Sequence, residues 1–127
     1  MSRPKVLCVD DEPRVLQGLR QVLFKSFEIT AAPSGEAAIA LLDAGERFEA
    51  VVSDMQMPNM NGAAFLAEVR KRQPDVSRLL LTGHANIDAA IAAVNRGQIF
   101  RFLTKPCPPE ELLSALRDAV AQHRLLD

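Results

Sequence analysis

Five short apolar runs rich in β-branched residues, at 5–9, 27–31, 50–53, 78–81 and 100–103, alternate with segments whose apolar residues repeat at helical spacing. No other feature of the chain leaves fewer architectures open. Strands apolar on both faces must be covered on both faces, and right-handed crossover helices do this around a central parallel sheet. The expected architecture is a single α/β domain of five parallel strands with helices on either side. In such sheets ligands bind outside the carboxyl ends of the strands, near the point where strand order reverses.

The helical segments carry their own boundary signals. Pro13, whose fixed φ and missing N–H suit a first turn, opens a segment bearing Val15, Leu16, Leu19, Val22 and Leu23 on one face. Ser34 is expected to cap a second, burying Ala38, Leu41 and Leu42, and Asn61 a third, burying Phe65, Leu66 and Val69. Asn86 is expected to open a fourth with Ile87, Ala90, Ile91 and Val94 facing inward. Pro108, Pro109, Glu110 and Glu111 open a fifth that carries Leu112, Leu113, Leu116 and Val120. Residues 1–127 are read as one domain with its core at about 4–122, and helical character persists through 121–127, where a linker to a further domain is expected to start.

A length of 127 residues suffices for one two- or three-layer core. With 24% charged residues and a formal charge of -1, the chain has no general attraction for nucleic acid or anionic membrane. No apolar run is long enough to cross a bilayer, and residues 1–5 lead into the first strand instead of a signal-peptide core, so a cytoplasmic location is expected. Cys8 inside the first apolar run and Cys107 between two prolines read as a packing residue and a loop residue, not a disulfide. A zinc site would have to recruit His84 and His123, which match no ligand spacing.

Polar residues gather at the expected carboxyl ends of the strands: Asp10 and Asp11 after the first, Asp54 after the third, Thr82 after the fourth, Lys105 after the fifth. Singly, each reads equally as a helix cap or a solvated charge. Together, three carboxylates and one ammonium leave a negative surplus that close carboxylates cannot hold without a cation or shifted pKa values. The donors are hard oxygens without thiolate or imidazole, which favours Mg²⁺, or Mn²⁺, over zinc or copper. A divalent ion, a lysine and a hydroxyl around one carboxylate suit phosphoryl transfer, with Asp54 as the nucleophile that forms an acyl phosphate.

The acidic pair Asp10-Asp11, Asp54 followed by Met57-Pro58 and Asn61-Gly62, then Thr82, and finally Lys105-Pro106 resemble the receiver (REC) domains of two-component response regulators over essentially the whole chain. The resemblance implies a flavodoxin-like, doubly wound (βα)5 fold. It implies that Asp54 is the phosphoacceptor, that Asp11, Asp54 and the backbone carbonyl of Gln56 are the Mg²⁺ ligands, and that Asp10 orients metal-bound water. It further implies that Lys105 contacts the phosphoryl group, that Thr82 closes onto it, and that Phe102 is the aromatic that changes rotamer on activation. The Lys105–Pro106 bond is cis in that family. Gln56, Gly83 and His84 match positions that tune hydrolysis, Gly83 by leaving the pocket open where a Cβ would stand. The donor is expected to be a phosphohistidine of a sensor histidine kinase or histidine phosphotransfer protein, with small acyl phosphates as further donors.

Phosphorylation adds negative charge to a site short of cations, so Lys105 and Thr82 gain contacts only in the modified state. Phe102, which lacks a hydroxyl, can then report burial without a hydrogen bond of its own, reshaping the surface of the fourth helix, fifth strand and fifth helix. Residues 96–101 lie on that surface and are read as a contact for a homodimer or for an output domain beyond residue 127; the plainer reading is a solvated turn that buries Ile99 or Phe100. The stretch 97–107 resembles receivers that precede cyclic-di-GMP phosphodiesterase or ATPase output domains. No nucleic-acid or membrane binding is expected of this segment itself. In the loop after Asp54, Pro58 and Gly62 are expected to turn the chain away.

Two rivals share much of this chemistry. An aspartate-nucleophile phosphatase would also use Mg²⁺ and an aspartyl phosphate, but such enzymes carry a second acid two residues after the nucleophile, where this chain has Gln56. That argues for a signalling domain over an enzyme. A receiver-like interaction module that is never phosphorylated is the other, although no essential group of the pocket is missing.

Overall fold

In the computed structural model, which describes residues 3–126, strands and helices alternate without exception. The elements are β1 (Lys5–Val9), α1 (Pro13–Leu23), β2 (Glu28–Ala32), α2 (Gly35–Asp43), β3 (Ala50–Asp54), α3 (Gly62–Arg72), β4 (Ser77–Thr82), α4 (Ile87–Asn95), β5 (Arg101–Thr104) and α5 (Pro109–Leu126). The strands form one parallel sheet in the order β2-β1-β3-β4-β5. Strand order reverses between β1 and β3, so the chain segments that leave their carboxyl ends, at Asp10-Asp11 and after Asp54, flank the switch point where doubly wound sheets bind ligands.

Strand alternation divides the core into two layers. Leu7, Val9, Val51 and Leu80 face α2, α3 and α4 through Ala38, Leu42, Phe65, Leu66 and Ala93. Val6, Cys8, Val52, Leu79 and Leu81 face α1 and α5 through Leu23, Leu112, Leu116 and Val120. Each fully buried leucine contributes about 2 kcal/mol. The exposed pairs Lys71–Glu68 and Arg101–Asp118 add little in comparison, so the two apolar layers hold the fold.

Local signals set most boundaries. Pro13 opens α1, Ser34 Oγ accepts from Ala37 N–H at 3.0 Å, and Asn61 Oδ1 accepts from Ala64 N–H at 2.8 Å. Phe27 stays outside β2 because its N–H completes the end of α1 by donating to Leu23 O at 2.9 Å. The fourth helix departs from expectation. Asn86 makes no side-chain cap; the chain enters α4 through a 3-10 turn, His84–Asn86. Ala90 and Ala93 form its buried stripe, and Ile91, about a quarter turn further round, is 44% exposed. Ile99 is buried and Phe100 half-buried. The fifth helix packs further than the expected core: His123 Nδ1 donates to Asp75 O at 2.8 Å and Arg124 pairs with Glu49 at 2.9 Å. Asp127 lies outside the described residues, and none of the helices described is long and apolar enough to cross a membrane.

Candidate functional site

The carboxyl edge of the sheet is where apolar strands stop and carboxylates begin. Asp10, the first residue after β1, is buried; its Oδ1 accepts from Glu12 N–H at 2.9 Å, while its buried Oδ2 has no hydrogen-bond partner. Asp11 is exposed beside it. Asp54 ends β3, is 5% exposed, and its Oδ1 is ion-paired with the Lys105 ammonium. Carboxylate oxygens of Asp10, Asp11 and Asp54 lie within 4.8 Å of one another. Burial holds the Asp10 carboxyl above the usual carboxylate range; the Glu12 N–H and the Lys105 charge oppose this, and the charges of Asp54 and Asp11 add to it.

The backbone packing that sets Asp54 in place depends on Gly62. A Cβ there would collide with the Asp54 carbonyl oxygen and stand 2.7 Å from Leu80 Cδ1. This is a close approach of α3 to β3, not the turn expected from sequence. The turn itself lies at Asn59, with φ 71°, and Met60 N–H donates to Pro58 O at 2.7 Å. Asparagine is among the residues that tolerate this left-handed region.

Above Asp54 opens a cleft of about 270 Å³ lined by Asp54, Gln56, Gly83, His84, Asn86 and Lys105, among others. A groove of about 420 Å³, bordered by Gln56, Met57, Asn61 and Asn86, adjoins it. A Cβ at Gly83 would meet nothing within 4 Å, so the backbone does not require glycine here and the space beside it is open. His84 is exposed. The Lys105–Pro106 peptide is cis, and Lys105 N–H donates to Thr82 O at 2.9 Å.

The structure therefore brings together Asp10, Asp11, Asp54 and Lys105, with Gln56, Gly83 and His84 around the cleft. Thr82 is fully buried at the end of β4 and is not among the cleft-lining residues; its hydroxyl donates to Gly83 O at 3.2 Å. Phe102 is half-buried, packed against the layer formed with α2, α3 and α4. Asn86 borders both clefts, a placement missed by reading it only as a helix cap. Its position four residues beyond Thr82, in the loop leaving the carboxyl edge, was the available signal.

The partnerless Asp10 Oδ2 and a donor set composed only of oxygens fit a hard divalent cation. Such a charge would offset the carboxylate surplus that one ammonium leaves.

Residues 6–117 match the family model described as response regulator receiver domain. The chain is 36% identical over 120 residues to the hydrogenase transcriptional regulatory protein HoxA of Bradyrhizobium diazoefficiens, covering 94% of this chain and 24% of that protein. It spans about a quarter of the length of the curated relatives it matches. Among solved structures, an adenylate cyclase from Rhodopirellula baltica superposes with a TM-score of 0.95 at 35% identity, over 98% of this chain and 92% of that one. The signal receiver domain of an HD domain-containing protein from Pseudomonas fluorescens Pf-5 superposes with a TM-score of 0.88 at 35% identity, over 96% and 98%.

Proposed function

This chain belongs to the family of response regulator receiver domains, and we propose that Asp54 is the residue on which it accepts a phosphoryl group in a phosphorelay. The observation that carries the assignment is the meeting of three carboxylates within 4.8 Å beside the Lys105 ammonium, at the switch point of the sheet. In the transfer, the P–N bond of a phosphohistidine on a sensor histidine kinase or histidine phosphotransfer protein breaks and a P–O bond to the Asp54 carboxylate forms. The imidazole nitrogen leaves with the electron pair and takes up a proton. Asp11, Asp54 and the Gln56 carbonyl would hold Mg²⁺, or Mn²⁺, and Asp10 would act through water; bound there, the ion offsets charge on the transferring oxygens.

Lys105, already against Asp54 Oδ1, meets the incoming charge. Thr82 exchanges its long bond to Gly83 O for a phosphoryl oxygen, drawing the β4–α4 loop inward. Phe102 then packs deeper and changes the face made by α4, β5 and α5, which serves as an output or homodimer surface. Gln56, Gly83 and His84 border the acceptor and set the lifetime of the acyl phosphate. We assign 1–127 to one receiver domain acting in the cytoplasm as a signalling domain, not an enzyme, that serves an output domain beyond residue 127. The length of the curated relatives supports that last point.

With Mg²⁺ and acetyl phosphate, the intact mass should rise by one phosphoryl group, and Asp54→Asn should abolish the gain. A wild-type protein left unmodified by both acetyl phosphate and beryllofluoride would mark an interaction module instead. Sustained phosphate release over many turnovers would mark a phosphatase.

A further inference from the structure

The two ends of α4 are built differently. At the carboxyl end, Gly97 takes φ 72°, its N–H donates to Val94 O at 2.9 Å, and Gln98 N–H donates to Ala93 O at 2.9 Å, a left-handed glycine closure. Three carbonyls at this end are held by arginines from neighbouring elements. Arg70 of α3 donates to Arg96 O at 3.3 Å, and Arg78 of β4 donates to Gln98 O at 2.7 Å and Gly97 O at 3.4 Å. The Arg78 guanidinium is buried and has no carboxylate partner among the described residues. Its remaining bonds go to Val76 O at 2.8 Å and Pro74 O at 3.2 Å, so one planar fork ties the α3–β4 loop to the end of α4. Positive charge at a helix carboxyl end also complements the helix dipole.

The amino end has no such closure, only the dipole-complementing Asp88 in its first turn. No side chain caps it, its 3-10 turn rests on single backbone bonds such as Asn86 N–H to Gly83 O at 3.1 Å, and Asn86 borders both clefts. Residues Gly83 to Ile87 are all half-buried or exposed.

We infer that Arg78 is a positioning residue that anchors the carboxyl end of α4, so that the helix works as a lever whose free end, the turn at 83–87, follows the state of the acceptor cleft. The free-end movement rests on the reading of Asp54 given above; the unequal anchoring does not. Ile91, exposed midway along the helix, is carried by the lever, whereas 96–98 stay fixed.

Hydrogen exchange on the whole chain tests both halves. In the unmodified protein the bonded amides of Gly97 and Gln98 should exchange at least about tenfold more slowly than those of Asn86 and Ile87. With Mg²⁺ and beryllofluoride, changes should fall within 83–90 and spare 96–98. Arg78→Met should abolish the slow exchange at 97–98 and spread the beryllofluoride response along all of α4, while the mass gain with acetyl phosphate persists. Arg78→Lys, a point donor that cannot span both loops, should restore this only in part. Arg70→Ala, a surface change that keeps the fold, should give a smaller shift in the same direction and decides the matter should Arg78→Met not fold. A merely structural Arg78 would lower the melting temperature without changing which amides respond. Equal exchange at the two ends of unmodified α4, or a beryllofluoride response at 96–98 as large as at 84–88, overturns the lever. A wild-type protein that gains no mass overturns the Asp54 reading instead, and the unmodified exchange pattern still decides the anchor.

Discussion

The two edges of the sheet treat buried polar groups in opposite ways. At the amino edge they are matched: Gln73 donates to Glu46 O at 2.8 Å, Ser77 to Ala119 O at 2.5 Å, and Arg78 to four carbonyls. At the carboxyl edge Asp10 Oδ2 has no partner, and three carboxylates share one ammonium. A satisfied buried group rigidifies its surroundings, whereas an unsatisfied one is a standing demand for a ligand. The amino edge thus supplies stability, and the carboxyl edge gives some of it up for a charge that arrives from outside.

Removing a buried charge should therefore move stability in opposite directions at the two edges, whereas a steric change costs stability at either. The largest effect is expected for Arg78→Met, which strands four carbonyls in the amino-edge loops and should cost about 3 kcal/mol in urea unfolding. Next comes Gly62→Ala. It forces a Cβ onto the Asp54 carbonyl and should cost about 2 kcal/mol and slow labelling by acetyl phosphate, since it shifts the strand that carries Asp54. Asp10→Asn should have the opposite sign. Removing a buried charge should raise stability in chelator, and Mg²⁺ should then stabilise the variant less than the wild type. A loss of stability in chelator would break the contrast between the edges. The smallest change is expected for Glu68→Gln on the exposed face of α3, where hydrogen bonds from Arg72 and then Lys71 hold the carboxyl below its ordinary range. Because that folded value is depressed, any stabilisation is present above the ordinary glutamate range and vanishes as pH falls through the lowered value. Thermal melts at pH 7 should barely separate this variant from the wild type.

How much of this could be read from residues alone depended on how far away the partners lie. Asp54 after an apolar run, Ser34 and Asn61 three residues before the N–H groups they cap, and Pro13 at a first turn are local signals, and each stands where expected. Arg78 read only as the first residue of a strand, because the carbonyls that justify its burial include Gly97 and Gln98, some twenty residues away. Gly62 read as a turn residue because its real constraint is the backbone of β3, which becomes its neighbour only once the sheet forms. Ile91 fitted an inward helical stripe equally well as Ala90, and only the seating of α4 on the sheet chose between them. The meeting of Asp10, Asp11, Asp54 and Lys105 was legible because a parallel sheet delivers every strand end to one edge. The side to which the Thr82 hydroxyl turns depends on a neighbouring carbonyl, and sequence carries no trace of that.

The cleft beside Asp54 draws its charged groups from the first, third and last strand connections, with Lys105 contributed only after β5. During synthesis, a chain lacking that last strand would hold its carboxylates together with no cation of its own against them. If Asp54 is the acceptor proposed above, its cationic partner arrives only with the completion of the sheet.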